Sequence, residues 1–235
     1  MDSARKGDAV EETDERAVQE PGLAAKPGYN LSNLAYNSIS ELIRTRRLKG
    51  GVPIVEAKLA EGLGLSRTPL REALQRLEGE GLVVKAANRS FMVRSVDLAE
   101  YLQSLKVREI LEAEAAGMAI DRVPPGSIAA ARREIAELMA ATTYHTDAHW
   151  RSDDRVHRLY AEACGNAVLA QMIASLRVTT RLFEIARLSD RLEPDSAEHL
   201  EILAALESGD ARRARRAVQA HLRSLTRFAV ASVTS

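Results

Sequence analysis

Hydrophobic and polar positions along this 235-residue chain recur with the 3.6-residue period of a helix almost throughout, and with a period of two in one short stretch. The first helix is predicted from about Leu34 to Arg47, where Leu34, Ile39, Leu42 and Ile43 keep helical spacing and Lys49-Gly50-Gly51 ends the run. Ile54–Leu63 gives a short helix that stops at Gly64. The next runs from Ser66, a favourable N-cap, to Glu78, with Pro69 in the first turn, where backbone donors have no helical partner. Leu70, Leu74 and Leu77 form its apolar stripe, Arg67, Arg71 and Gln75 lie on a solvated face, and Gly79 and Gly81 close it. Leu82–Lys85 and Phe91–Arg94 then flank Ala86-Ala87-Asn88-Arg89-Ser90 as strand, turn and strand, with Asn88 suiting the turn.

Everything after Val96 reads as helix. One long helix spans Leu98–Asp121 and ends at Val123-Pro124-Pro125-Gly126, and Ser127 starts another that reaches about Thr142. Helices follow over about Trp150–Cys164 and Val168–Leu188, separated by Gly165-Asn166. Pro194-Asp195-Ser196-Ala197-Glu198 has the form of a capping box, an aspartate followed three residues on by a glutamate, and the helix it opens ends at Gly209. Asp210 caps the last helix, through about Val230. The expected fold is mainly α. Residues 30–96 form a helix-turn-helix with a small β-hairpin wing, and residues 97–232 an all-helical bundle. Residues 1–29 are polar, charged and broken by Pro21-Gly22 and Pro27-Gly28, so a disordered tail is expected there.

Charge sharpens this division. The formal net charge is zero, but residues 1–29 carry 4 basic and 7 acidic side chains, residues 30–96 carry 11 and 6, and residues 97–235 carry 18 and 20. The basic excess sits in the winged block, the electrostatic footprint of a nucleic-acid reader joined to a second domain. The single cysteine, Cys164, excludes a disulfide framework within the chain and fits a cytoplasmic protein; near a helix end it reads as a small packed side chain. No apolar run approaches the ~20 residues of a membrane helix, so no membrane partner is expected, and the polar N-terminus does not look like a signal peptide.

In a winged helix-turn-helix the second helix of the pair lies in the major groove. Arg67 and Arg71 there suit guanine, whose O6 and N7 accept from both arms of a guanidinium. Ser66 and Thr68 at the helix start are placed for phosphate, and Arg89 at the hairpin tip for phosphate or a minor groove. The competing reading is an ordinary solvated face in which Arg67, Arg71 and Arg76 mingle with Glu72 and Glu78. The run from Ala60 to Val83, centred on Ser66-Arg67-Thr68-Pro69-Leu70-Arg71-Glu72-Ala73-Leu74, resembles the signature of the GntR family of bacterial regulators. The resemblance implies DNA contacts by Arg67 and Arg71, with Ser66 and Thr68 beside them. Two loops depart from the family pattern: Lys49-Gly50-Gly51-Val52-Pro53 stands where Pro-Gly is usual, and Ser90 where glycine usually follows Asn-Arg.

In the helical half, Asp153 and His157 are four residues apart and share a face. His199 lies on the apolar face of its helix with Leu203 and Leu206, and His221 shares a face with Ala214, Ala217 and Leu225. Three inward histidines and a carboxylate on three helices suit a divalent transition metal such as zinc, nickel or manganese. The same histidines also suit a packed, metal-free core. His145 and His149 continue the four-residue spacing, but such steps drift around a helix of 3.6 residues per turn, and both are read as exposed.

Residues 98–230 resemble the FCD domain, the helical ligand-binding domain of the FadR-like branch of that family. The matching pieces are Val107-Arg108-Glu109-Ile110-Leu111-Glu112, Asp153 to His157 followed by Cys164-Gly165-Asn166, and His199, Gly209-Asp210 and His221-Leu222. The resemblance implies Asp153, His157, His199 and His221 as a metal set. It also puts Arg108 on a pocket-lining helix, where an arginine clamps a ligand carboxylate. A surface or interdomain ion pair is the other role open to Arg108. The implied protein is a ligand-responsive regulator, commonly a repressor and not an enzyme. It acts as a homodimer on palindromic double-stranded operator DNA and answers to a small carboxylate effector. A metalloenzyme using the same four side chains to activate water is the alternative, but no carboxylate is placed as general base and the recognition helix would have no task.

Affinity for an operator selected from random DNA is expected to fall steeply with salt, as phosphate contacts release counterions. Arg71→Ala is expected to abolish specific binding in fluorescence anisotropy while the far-UV circular dichroism stays the same. Unchanged operator affinity would take this helix out of the groove.

Overall fold

A computed structural model describes residues 30–86, 90–141, 146–183 and 188–234. The expected tail at residues 1–29, Arg89 and His145 lie outside the described residues. Helix α1 (Leu31–Arg44) starts at Asn30, whose side chain accepts from the Asn33 amide. It ends three residues before the expected Arg47. The Thr45 amide and hydroxyl both donate to the Glu41 carbonyl, and Arg46 then turns the chain at a φ of 60°.

Helices α2 (Glu56–Gly62) and α3 (Arg67–Gly79) complete the tri-helical head. Ala35, Ile39, Leu42 and Ile43 of α1, Leu59 and Ala60 of α2, and Leu70, Ala73, Leu74 and Leu77 of α3 are all buried. Ser66 occupies the N-cap position of α3, but its side chain makes no capping hydrogen bond, contrary to expectation. Gly79 is still helical, and it is Gly81, at φ 77°, that releases the chain into the wing.

Strands β1 (Val83–Lys85) and β2 (Phe91–Val93) pair antiparallel, with Val83 opposite Val93 and Lys85 opposite Phe91. The loop ahead of α2 joins them as a third, irregular edge. Gly51 donates to the Val93 carbonyl at 2.9 Å, Ile54 to the Phe91 carbonyl at 2.8 Å, and Pro53 bridges Met92. This explains the double glycine. A Cβ on Gly50 would press on the Arg94 carbonyl at 3.3 Å, and Gly51 sits at φ 78°, where a side chain is strained.

The helical half comprises α4 (Leu98–Met118), α5 (Ser127–Ala141), α6 (Asp147–Ala163), α7 (Ala167–Leu182), a 3₁₀ turn (Leu188–Arg191), α8 (Leu192–Glu207) and α9 (Ala211–Thr234). Asp97, Asn166 and Asp210 each accept from an amide in the first turn of the helix that follows. Helix α4 is the hub, packed against α9, α7 and α6, while α8 joins α9 to α5. Two expectations are corrected. Helix α7 ends at Leu182 rather than Leu188. The capping box at Asp195 and Glu198 does not form, because α8 begins at Leu192 and both carboxylates accept from the Arg191 guanidinium instead.

One side chain ties the two halves together. The carbonyls at the end of α7 have no helical partner, and Arg46 supplies one, donating to Leu182 O at 2.7 Å and to Phe183 O at 2.8 Å. Phe183 in turn stacks on Tyr101 of α4, with ring centroids 4.3 Å apart and planes within 13°. Among the described residues no helix is long and apolar enough to cross a membrane.

Leu74 is wholly buried between the head helices. Leu74→Ala is expected to lower stability by about 2–5 kcal/mol in urea unfolding, the usual cost of a core cavity.

Candidate metal centre and nucleic-acid interface

The inner face of α4 carries a polar ladder unusual for a central helix: Tyr101, Ser104, Arg108 and Glu112, all buried. Glu112 is its anchor. It accepts from Arg108 Nε at 2.5 Å, from the Tyr160 hydroxyl at 2.5 Å, and meets His157 Nδ1 at 2.5 Å. Burial opposes its ionisation, yet the Arg108 guanidinium, with His157 beside it, holds its carboxyl well below the usual carboxylate range. Burial, reinforced by Glu112, pushes the Tyr160 phenol well above its ordinary value, so Tyr160 is a permanent donor.

With Nδ1 facing Glu112, His157 turns Nε2 inward. His221 does the same: its Nδ1 meets Glu198 at 2.8 Å. Carboxylates behind histidines in this way fix the tautomer and leave Nε2 as a lone-pair donor. The Nε2 atoms of His157, His199 and His221 are buried and have no hydrogen-bond partner among the described residues. His157 and His199 each place Nε2 3.6 Å from Asp153 Oδ1. One donor atom from each of the four residues lies within 4.8 Å of every other. Four tetrahedral ligands at ~2.1 Å from an ion stand about 3.4 Å apart, so an inward movement of these side chains would close on it.

Electrostatics prepare the same set. Burial foremost, and then His221 nearby, holds His199 well below the usual imidazole value, so it is neutral and able to ligate. Burial disfavours a charged Asp153, but Arg177, together with His157 and His199, keeps the carboxyl well below the ordinary range. Arg177 donates to Asp153 Oδ2 at 2.6 Å, which leaves Oδ1 facing the histidines. Three buried ring nitrogens at one point without partners among the described residues are uncommon, because buried polar groups in proteins are almost always bonded.

Beside this cluster lies a cavity of about 50 Å³, lined by Tyr101, His149, Trp150, Ser152, Thr180, Ser196 and apolar residues including Ile135, Leu138 and Leu225. Asp153, His199 and His221 form its floor. His149 is not exposed as expected. It is half-buried in the first turn of α6, where its ring accepts from the Thr146 amide, the helix start having moved to residue 147. Arg108 is brought to the cavity wall but stands behind it, donating to Thr180 Oγ1 at 2.6 Å. Its ion pair with Glu112 is internal rather than at the surface or between domains. Sequence reasoning passed over Glu112, Tyr160, Arg177, Arg191 and Tyr101. The i, i+4 pair Arg108–Glu112 on a helix whose Val107 and Ile110 are exposed was the available signal.

On the head, Ser66, Arg67, Thr68 and Arg71 are exposed at the start of α3. Arg71 lies 3.3 Å from the half-buried Glu56 of α2, a solvent-accessible pair of small energetic weight. Arg76 turns the other way. It stacks over the Tyr36 ring at 3.8 Å and donates to Asn33 of α1, so it belongs to the α1–α3 seam.

Comparison with known proteins covers both halves. The family described as bacterial regulatory proteins, gntR family, matches residues 31–93, and the FCD domain matches residues 103–224. An HTH-type transcriptional regulator from the TAR-I ttuE-ttuC' intergenic region of Agrobacterium vitis is 31% identical over 153 residues, covering 63% of this chain and 89% of that protein. A probable D-xylose utilization operon transcriptional repressor of Paenarthrobacter nicotinovorans is 29% identical over 190 residues, 75% of this chain and 78% of its own length. The solved structure of Escherichia coli McbR/YncC superposes with a TM-score of 0.70 at 23% identity, over 87% of this chain and 99% of that one, which shows a shared fold.

Breaking a buried ion pair by removing one partner typically costs about 3–5 kcal/mol. Glu112→Ala is therefore expected to destabilise the helical half by that order in urea unfolding, far more than loss of the half-buried Glu56 would.

Proposed function

Because the chain belongs to the GntR family of bacterial transcription regulators and carries an FCD domain, we propose that it is a metal-dependent, effector-responsive repressor. Asp153, His157, His199 and His221 would hold the ion, of zinc, nickel or manganese class. The observation that carries this reading is that Asp153, His157, His199 and His221 bring one donor atom each within 4.8 Å of one another, with three buried Nε2 atoms lacking a partner among the described residues. A bound divalent ion would supply positive charge to the floor of the cavity. That charge suits a small carboxylate, for among the described lining residues none is Lys or Arg. Arg108 contributes from behind the wall, through Thr180.

Ser66, Arg67, Thr68 and Arg71 contact a palindromic operator, with Arg89 reaching from the wing. Repression is supported by the Paenarthrobacter relative, a probable repressor of a D-xylose utilization operon, and a cytoplasmic site by the DNA target. A homodimer is supported by exposed apolar residues on two helices that pack together, Val107 and Ile110 of α4 with Val168 and Met172 of α7. The effector acts by binding one arrangement of the DNA heads better than another.

The test is metal content by inductively coupled plasma mass spectrometry on tag-free protein and on the His157→Ala/His221→Ala double variant. About one transition metal per chain, lost in the variant while operator binding persists, is expected. No metal in the wild type after reconstitution with zinc, nickel and manganese would leave a DNA-binding regulator with a metal-free pocket.

A further inference from the structure

Tyr101 is wholly buried, yet its hydroxyl has no hydrogen-bond partner among the described residues and its side chain lines the cavity. A buried donor left unpaired costs free energy unless something arrives to accept from it. Three other polar side chains that line the cavity are already engaged: Thr180 with Arg108, Asp153 with Arg177, Asp195 with Arg191. Burial holds the phenol above its ordinary value, so it stays protonated and donates. The opposite face of the same residue is mechanical. Its ring stacks on Phe183, and the carbonyls of Phe183 and Leu182 are the ones that hold Arg46 of the DNA-binding half.

We propose that Tyr101 is the residue that reads the cavity's occupant: its hydroxyl donates to a second oxygen of the ligand, and its ring passes the ligand's presence through Phe183 to Arg46. This rests on the metal-and-carboxylate reading above and narrows it. A space of about 50 Å³ holds roughly three to five water-sized groups. The ligand class is therefore a very small carboxylate bearing an additional hydroxyl or oxo oxygen: the carboxylate faces the floor and the additional oxygen faces Tyr101.

Glycolate is the minimal probe of that class, and the protein tested is the full chain loaded with zinc. Tyr101→Phe keeps the ring and the stack and removes only the hydroxyl. Zinc per chain is expected to stay the same, while the glycolate dissociation constant in calorimetry rises about tenfold, as for one lost hydrogen bond to the ligand. The melting temperature of the ligand-free variant is expected not to fall, because the hydroxyl has no protein partner to lose; a merely structural tyrosine would show the reverse pattern. For the relay, Arg46→Asn tolerates the positive φ and removes the guanidinium. Glycolate is expected to change amide hydrogen exchange in the last turn of α1 severalfold in the wild type and not in this variant, although both bind it. A zinc-loaded wild type that takes no glycolate, or takes it equally well without the hydroxyl, overturns the role of Tyr101. Exchange in α1 that ignores glycolate in the wild type overturns the relay. A chain that takes up no zinc, nickel or manganese overturns the metal reading beneath both, and the metal analysis shows which of the two has failed.

Discussion

A carboxylate removed from water must find its compensation inside the protein, and Glu112 does so at the centre of the sensor half. Its two oxygens take up Arg108 from the same helix, and His157 and Tyr160 from α6. Each partner is thereby committed. Arg108 has one arm left for Thr180 of α7, and His157 has one nitrogen left for the interior. The polar ladder on α4 thus fixes where α6 and α7 sit before the apolar contacts refine their positions. It is also why the donor atoms converge: the histidine ring is aimed by the group behind it. Such a network is costly when partly satisfied and rigid when complete, which suits a site that must keep its shape with and without an occupant.

Much of this architecture was legible in the sequence. Among the described residues the helical period located each α-helix to within a few residues of its observed ends, except at the end of α7, and the Ser66–Leu74 signature marked α3 as the candidate reading helix. The four ligand candidates were found because histidines on apolar faces stand out. What escaped were groups whose meaning depends on a distant partner. Asp195 and Glu198 fit a capping box by spacing, but a guanidinium at Arg191 competes successfully for both, and no local rule sees that. His149 looked exposed because its helix was expected to begin one residue after it; the actual start at residue 147 places it in the first turn, against the cavity. Arg108 was legible as important but not as occupied. Tyr101 carried no signal at all, since an aromatic on a buried stripe is ordinary until its hydroxyl is seen to lack a partner.

The two halves differ in what holds them. The head is an apolar core in which every large buried side chain is aliphatic or aromatic, whereas the sensor half buries arginines, carboxylates and histidines together. The first arrangement gives a stiff DNA-facing scaffold. The second gives a bundle whose interior charges balance one another across several helices. Arg46, at the end of α1, stands between these regimes and bonds to the terminal carbonyls of α7, the negative end of that helix's dipole.

The loop before α2 is stitched to β2 by the Gly51 and Ile54 amides and by Pro53, and α3 runs directly into β1 through Gly81. Turn, reading helix and wing are consequently one solid piece. Under the proposed function, an effector would re-aim such a piece without retuning the bases it prefers, which would make sequence preference and allosteric control separable properties. Substitutions along α3 would redirect the regulator to other promoters without altering what it listens to, and substitutions around the cavity would change its cue without moving it along the genome.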